Sequence, residues 1–161
     1  MAPVDLLRRA GIQVTLATVD GNFLVVGRNG IILRAERTLD EVIGLPFDAL
    51  LLAGGPAVPD LRKDPRLTPL VRRLHDSGAW IGAICAAPLL LKDAGLLPAA
   101  HTCHDSCLGE LPAARLADRV LTDGRIVTSR GAGTAIDFGL ALVAGLLGPA
   151  AAARLNSEIL G

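Results

Sequence analysis

Cys85 is the residue of this 161-residue sequence with the clearest potential for chemistry. The apolar run 79–84 predicts a short buried strand, and 86–94 predicts a helix that starts directly behind the cysteine. A thiol on such a strand-to-helix turn resembles a nucleophile elbow, which needs small neighbours such as Ala87. The helix dipole and unpaired amides at this point favour the thiolate. The alternative, which this window alone does not exclude, is a buried and unreactive cysteine.

Gly54 and Gly55 follow a second apolar run, 47–53, which predicts a strand buried on both faces. Glycines at the carboxyl end of a central strand let main-chain amides approach a ligand, and open α/β sheets bind their ligands at that edge. With the amide of Ala86, they form a candidate oxyanion hole beside Cys85. A plain turn after the strand is the alternative interpretation.

A third cluster has the pattern H-x-C-H-x-x-C and comprises His101, Cys103, His104 and Cys107. All four are zinc ligands by type, but they lie on one short segment rather than two. Alternation along a strand would also point His101 and Cys103 away from His104. We therefore expect no metal site and no cofactor.

The elements that must position these residues alternate between strand and helix periods, which predicts an α/β domain with a mostly parallel sheet. A helix is predicted at 4–10, 68–76, 135–147 and 150–159. Strands are predicted at 12–19, in two short runs within 21–34, and in two runs around the Asp123-Gly124 turn. Thr134 and Asp137 resemble a capping box at the start of one helix.

Composition excludes several classes of protein. With 51% hydrophobic residues, the chain can form one domain spanning 1–161 with a real core. Sixteen basic and sixteen acidic residues give a net charge of +0, so we expect no nucleic-acid partner and no binding to an anionic membrane. Three cysteines do not make a disulfide framework and favour a reducing compartment. With no targeting segment or membrane span evident, we expect a cytoplasmic protein.

Three runs together resemble the ThiJ/PfpI family: LLAGG at 51–55, AICAAP at 83–88 and TSRGAGTAIDF at 128–138. They are most similar to the branch that holds the Parkinsonism-associated deglycase/chaperone and its bacterial homologues. The resemblance implies a flavodoxin-like three-layer sandwich, related to class I glutamine amidotransferases and usually homodimeric. It also implies an oxidation-sensitive cysteine on the elbow, which matches Cys85.

The resemblance implies further site residues. Arg28 resembles an arginine that reaches the partner subunit's active site and binds an anion there, although a solvated arginine in a turn is the alternative. The segment after the elbow helix returns to the active-site edge in this family, so His104 is a candidate base near Cys85. A solvated or capping histidine is the alternative for His104.

The implied activity is cysteine-dependent conversion of reactive carbonyls or glycated adducts, of the glyoxalase or deglycase type. The alternatives are a non-catalytic redox sensor or holdase chaperone, and an inactive truncated homologue. Ala86 stands where the peptidase-like branches have a histidine, which excludes a Cys-His peptidase dyad built on that neighbour.

Family members also open with an apolar strand and a glutamate-bearing loop that precede the first helix. This sequence begins inside that helix, so we expect the first strand to be absent from this chain and to be encoded upstream. Asp5 and Glu36 are the carboxylates left as candidates to tune Cys85, and only by default.

Overall fold

Strands and helices alternate along residues 1–160, the part of the chain that the computed structural model describes. The strands are β1 (Ala17–Thr18), β2 (Leu24–Val26), β3 (Ile32–Arg34), β4 (Arg37–Thr38), β5 (Ala49–Leu52), β6 (Trp80–Ile84), β7 (Val120–Asp123) and β8 (Ile126–Ser129). The helices are α1 (Ala2–Arg9), α2 (Leu39–Val42), α3 (Val58–Leu61), α4 (Leu67–Asp76), α5 (Pro88–Asp93), α6 (Ala135–Leu147) and α7 (Pro149–Leu160). Single 3₁₀ turns occupy Arg28–Gly30, Asp105–Cys107 and Ala132–Thr134.

The central sheet has the strand order β5-β6-β8-β7. The β5–β6 and β6–β8 pairs are parallel, and β7 runs antiparallel to β8 through the turn at Asp123-Gly124. Gly124 has a φ of +57°, which glycine adopts without the steric cost that other residues meet there. The predicted α/β class with a mostly parallel sheet is confirmed.

Strand β6 shows why the apolar runs are continuous, because its successive side chains enter two different cores. Ile81 and Ala83 pack with the apolar faces of α4 and α5. Trp80 and Ile84 pack on the other face, against the cluster contributed by α1, α6 and α7. A sheet covered by helices on both faces is the three-layer sandwich that the family resemblance implies.

The predicted strand at 12–19 is wrong over most of its length. Only Ala17–Thr18 forms a strand, which pairs in parallel with β4. Ile12, Val14 and Leu16 are half-buried and alternate with exposed residues, but residues 12–16 join no ladder. Alternation therefore identified an extended segment, whereas a strand also requires a partner. Within residues 1–160, β5 pairs with β6 alone.

Helix boundaries also differ from those predicted. The helix after Cys85 covers only Pro88–Asp93 rather than 86–94. Proline has no amide hydrogen and a fixed φ, so it is well placed at the first helical position, and the two residues before it remain in the turn. The helix predicted at 68–76 begins at Leu67, and α6 has the predicted bounds.

The two runs predicted within 21–34 form an antiparallel hairpin, β2 with β3, in which Val26 pairs with Ile32. Its apolar side chains are exposed: Val26 by 68% and Ile32 by 64%, with Leu24 and Ile31 close behind. A contiguous exposed apolar surface of this kind is typical of an interaction site. Within residues 1–160, no helix combines the length and apolarity needed to cross a bilayer.

Candidate functional site

Cys85 lies at the predicted strand-to-helix turn, directly after β6, and its backbone is strained. Its φ is +67°, in the left-handed region that non-glycine residues rarely adopt. The Cys85 amide donates a 2.8 Å hydrogen bond to the carbonyl of Ser129, and its own carbonyl accepts a 2.9 Å hydrogen bond from the amide of His104. These two bonds hold the strained residue from both sides. Cys85 as a whole is partly exposed to solvent.

Gly54 makes this turn possible by its lack of a side chain. A Cβ built on Gly54 would lie 2.6 Å from Cβ of Cys85 and 2.8 Å from the amide nitrogen of Ala86. Heavy atoms do not approach that closely without displacement, so the carboxyl ends of β5 and β6 can meet here only around a glycine. Gly55, with a φ of +116°, then turns the chain away.

The amides of Gly55 and Ala86 are free to bind a ligand. Neither donates a hydrogen bond to another group among the described residues 1–160, although both are only half-buried. Main-chain N–H groups without partners are the donors that an oxyanion hole uses to stabilise charge on a carbonyl oxygen, so the oxyanion hole at this turn stays a prediction that both amides fit.

His104 reaches this site through its main chain. Its amide binds Cys85, as described above, while its exposed imidazole caps the 3₁₀ turn Asp105–Cys107. The Nδ1 atom of His104 lies 2.9 Å from Oγ of Ser106 and accepts a hydrogen bond of 3.2 Å from the Ser106 amide. His104 therefore caps this turn through Nδ1, and its role as a base near Cys85 stays a prediction.

An open cleft of about 360 Å³ adjoins His104. Its walls include Arg119, Arg130 and the loop 131–134 that leads into α6. Arg130 pairs with Asp105, and Arg119 donates to Asp137 at 2.7 Å and to the carbonyl of Gly133 at 2.8 Å. The cleft is therefore lined by guanidinium groups that already have partners.

Cys103 and Cys107 lie close to the elbow, packed with Ala86 in one apolar cluster. Burial, and after it the nearby Cys107 thiol, raise the pKa of Cys103 to about 11. Burial is also the main reason why the pKa of Cys107 is raised, and a charge on Cys85 adds to that effect. Both residues are therefore held as neutral thiols at neutral pH.

The H-x-C-H-x-x-C segment is not arranged around a common point. Nδ1 of His101 lies 2.8 Å from the carbonyl of Pro98, whereas the His104 ring faces Ser106. Within residues 1–160, no three His, Cys, Asp or Glu side chains are grouped as metal ligands.

Within residues 1–160, none of the remaining predicted residues forms a hydrogen bond with Cys85. Arg28 occupies the exposed turn of the β2–β3 hairpin, and within residues 1–160 it forms no ion pair. Glu36 accepts hydrogen bonds from Arg8 at 2.8 Å and from the amide of Leu16 at 3.0 Å. Asp5 pairs with Arg9 at 2.8 Å. The two carboxylates considered by default are therefore committed to other groups.

Arg62 connects segments around the elbow by hydrogen bonds, and the sequence did not predict this role. It donates to both carboxylate oxygens of Asp93, at 2.6 and 2.8 Å, and to both of Glu110, at 2.6 and 2.9 Å. Asp93 ends α5, and Glu110 follows the turn that contains Cys107. One guanidinium thus joins the segment after Gly55 to the elbow helix and to the His104 segment. Such paired forks are the strongest geometry available to arginine.

Comparison with known proteins identifies relatives along the whole chain. The chain is 35% identical to "Protein DJ-1 homolog B" of Arabidopsis thaliana over 97% of its own length and 37% of that protein. It is 32% identical to "Glutathione-independent glyoxalase DJR-1.2" of Caenorhabditis elegans, over 90% of this chain and 79% of that protein. It is 30% identical to "Deglycase PfpI" of Pyrococcus furiosus, over 59% of this chain and 57% of that protein.

Relative lengths differ among these proteins: the chain spans about two fifths of the length of the Arabidopsis relatives. Among solved structures, DJ-1beta of Drosophila melanogaster superposes with a TM-score of 0.92 at 30% identity, over 99% of this chain and 88% of that one. The sequence profile of the DJ-1/PfpI family matches residues 1–145. The resemblance carried by the three motifs is confirmed, and the chain belongs to the DJ-1/PfpI family.

Proposed function

We propose that this chain is a cysteine-dependent enzyme that acts on small reactive carbonyl compounds and their glycated adducts, with Cys85 as the nucleophile. The observation that carries the proposal is the strained turn at Cys85 beside two unbonded amides, those of Gly55 and Ala86. Strain of this kind costs on the order of 1–3 kcal/mol and persists where the surrounding structure enforces it, commonly at active sites. The names of two relatives, a glyoxalase and a deglycase, support the substrate class.

The chemistry begins with addition of the Cys85 sulfur to an aldehyde carbon. A C–S bond forms, the carbonyl π pair moves to oxygen, and the amides of Gly55 and Ala86 stabilise the resulting charge. Protonation of that oxygen gives a hemithioacetal. Transfer of a proton from the aldehyde carbon to the neighbouring ketone carbon gives a thioester, which water cleaves to a 2-hydroxy acid and the free thiol. We assign this proton transfer to the imidazole of His104.

No metal or organic cofactor is needed for this sequence of steps, because the net reaction adds one water molecule to the dicarbonyl. Glycated adducts enter the same path when the Cys85 sulfur attacks the carbon that bears the adduct and the amine or thiol leaves. Among the described residues, nothing beyond the chain neighbours lies within 4 Å of a Cβ built on Gly55, which leaves space for a small carbonyl at this edge of the sheet.

Lactate formation from methylglyoxal tests the proposal. We expect lactate from the wild-type chain and none above background from Cys85→Ala. Cys103→Ala is the matched control, because it removes a thiol that lies in the same region but is fully buried, and it should retain activity. Equal rates for wild type and Cys85→Ala would exclude cysteine catalysis.

We also propose that the chain forms a homodimer through the exposed β2–β3 hairpin and that Arg28, in its turn, binds an anionic group at the partner's site. The support is the exposed apolar surface around Val26 and Ile32 and the position of Arg28 between the two strands. Its three free cysteines support a reducing, cytoplasmic setting.

A further inference from the structure

We propose that Arg62 is a positioning residue that holds the segment bearing His104 against the elbow at Cys85. Its guanidinium closes a ring of hydrogen bonds that starts and ends at this turn. Within residues 1–160, Arg62 forms no hydrogen bond with Cys85 or His104, so it acts through the segments that carry them. The inference rests on the proposed function, because it concerns how the same site is kept in order for proton transfer.

One side of the ring is a run of main-chain hydrogen bonds from the elbow to Glu110. The amide of His104 donates to the carbonyl of Cys85, and the amide of Cys107 donates to the carbonyl of His104, each at 2.9 Å. The amide of Glu110 donates in turn to the carbonyl of Cys107 at 3.0 Å. Residues 104–110 are therefore a series of short turns with the elbow at one end and the Glu110 carboxylate at the other.

The other side of the ring is helix α5, which begins at Pro88, just after the elbow, and ends at Asp93. The guanidinium of Arg62 donates to the two carboxylate oxygens of Asp93 at 2.6 and 2.8 Å, and to those of Glu110 at 2.6 and 2.9 Å. Because its N–H groups form a fixed planar fork, it sets the direction as well as the distance of both carboxylates. The end of α5 and the end of the His104 segment are thus bound to one group.

A second contact between the two sides of the ring is weaker. Nζ of Lys92, on α5, lies 3.2 Å from the carboxylate of Glu110, and the Lys92 side chain is more exposed than that of Arg62, 42% against 26%. An ammonium is a point charge on a flexible stem, and exposed ion pairs of this kind contribute little to stability. Arg62 is therefore the contact that closes the ring.

Arg62 is itself anchored to the apolar cluster beneath the elbow. Its amide donates to the carbonyl of Val58 at 3.0 Å, and Val58 is buried in the cluster that also contains Ala86. Hydrogen bonds to Asp93 and then to Glu110 raise the pKa of Arg62 above its ordinary value, so the guanidinium keeps its charge. A charged group with a fixed main chain is well suited to hold two other segments in place.

The imidazole of His104 depends on this support, because its own hydrogen bonds extend only to Ser106 among the described residues. Its Cδ2 atom faces Gly131, where a Cβ built on the glycine would lie 3.7 Å away. The ring therefore moves with the segment 104–110 as a whole. Groups that take part in a reaction must stay within roughly 0.5 Å of their productive position, which requires supporting contacts of the kind that Arg62 makes.

Replacement of Arg62 by methionine opens the ring at one point. Methionine keeps an apolar stem but has no donor for the two carboxylates. We expect kcat for lactate formation from methylglyoxal to fall about ten-fold, since proton transfer needs His104 in place, whereas KM should change less than about two-fold, since Arg62 does not touch the substrate. Arg62→Lys keeps the charge but cannot bind both carboxylates as a fork, so its kcat should lie between those of wild type and Arg62→Met.

The position of the His104 ring can be measured directly, whether or not the chain makes lactate. A nuclear Overhauser cross-peak between Hδ2 of His104 and Hα of Gly131 reports the close approach of these two residues. The chain has three histidines, so the ring signals can be assigned by substitution. The cross-peak should be present in wild type, weaken several-fold in Arg62→Met and be intermediate in Arg62→Lys.

Arg66→Met is the matched control. Arg66 also binds one carboxylate as a fork, that of Asp64, and donates a bond of 2.6 Å to a second, that of Asp40. Neither carboxylate belongs to α5 or to residues 104–110, so Arg66→Met should lose a comparable set of ion pairs but keep both kcat and the cross-peak. Urea unfolding of the two methionine variants checks that they are compared at similar stability.

Three results would overturn the positioning role of Arg62: an unchanged cross-peak in Arg62→Met, an unchanged kcat in that variant, or an equal loss of both in Arg66→Met. If Arg62→Met does not fold, Arg62→Lys decides the question in the same way. A wild-type chain that makes lactate, with a cross-peak that Arg62→Met leaves intact, keeps the proposed function and loses this inference. A wild-type chain that makes no lactate, but loses the cross-peak in Arg62→Met, loses the proposed function and keeps the placement of His104 by Arg62.

Discussion

Gly54 and Cys85 lie in contact across the carboxyl ends of two neighbouring parallel strands, so closely that a methyl group on Gly54 would overlap Cβ of Cys85. The glycine and the cysteine are 31 residues apart along the chain, and pairing of the two strands brings them together. The strained turn at Cys85 therefore depends on what stands at position 54.

Replacement of Gly54 by alanine should damage both stability and activity. The new Cβ would lie 2.6 Å from Cβ of Cys85 and from the carbonyl oxygen of Ile84, so the elbow must move. Overpacking typically costs about 1–3 kcal/mol, which urea unfolding would measure. Misplacement of a nucleophile by about 1 Å can cost about 100-fold in kcat/KM. Gly44→Ala is the control, because a Cβ there meets nothing within 4 Å, and it should change neither quantity.

A comparison of Cys85→Gly with Cys85→Ala should distinguish the backbone strain at position 85 from the chemistry of the thiol. Both remove the thiol and so should abolish lactate formation. Only glycine relieves the left-handed φ of +67°, so Cys85→Gly should be more stable than Cys85→Ala by about 1 kcal/mol in free energy of unfolding. A more stable alanine variant would mean that the backbone at this position stores no strain.

Glu110 should make the stability of the fold depend on acid pH. Hydrogen bonds from Arg62 and then from Lys92 lower the pKa of Glu110 from 4.5 to about 2. Because the folded pKa is the lower one, the stabilisation is complete above the unfolded pKa and disappears as the pH falls through about 2. Wild type should exceed Glu110→Gln in Tm at pH 7, and the difference should shrink between pH 4.5 and pH 2.

The matched control for this pH series is Glu158→Gln, which changes an exposed glutamate on α7. Its Tm difference from wild type should vary less with pH than that of Glu110→Gln. A constant difference for Glu110→Gln across the whole range would show that its carboxylate has the same pKa in the folded and unfolded chains.

Ile32→Glu should dissociate the proposed dimer. Ile32 is 64% exposed and pairs with Val26 on the hairpin, so a charge there would be buried at an interface formed by this surface. Size-exclusion chromatography with light scattering should give a dimer for wild type and a monomer for the variant. Leu45→Glu changes an apolar side chain, 49% exposed, outside the hairpin and should leave the dimer intact. A wild-type monomer would remove the proposed role of Arg28 across the interface.

Local sequence predicted the elbow well, because its signals are local. An apolar strand, a small-residue turn and a proline at the start of the helix lie within ten residues, and the turn at Cys85 follows from them. The strand predicted at 12–19 failed because alternation reports burial on one face and says nothing about a partner strand. Helix α2 was missed, although Thr38 and Glu41 form a capping box there.

The predicted capping box of Thr134 and Asp137 is wrong, for a reason that sequence spacing cannot reveal. The Thr134 hydroxyl binds the main chain of Gly131 and the hydroxyl of Ser129, and Asp137 pairs instead with Arg119. The Arg62 network was missed for a similar reason, since its carboxylates lie 31 and 48 residues away along the chain. Contacts between residues so far apart in sequence depend on the order of the strands in the sheet, and local sequence patterns do not determine that order.

The hydrogen bond from the His104 amide to the Cys85 carbonyl allows opening of the site to be measured by hydrogen exchange. Movement of the segment 104–107 away from the elbow would break this bond, and the His104 amide would then exchange its hydrogen for solvent deuterium. The Cys85 amide, which is bound to Ser129 of β8, would stay protected through the same event. Two amide protons on either side of one strained residue thus distinguish opening of the site from unfolding of the sheet.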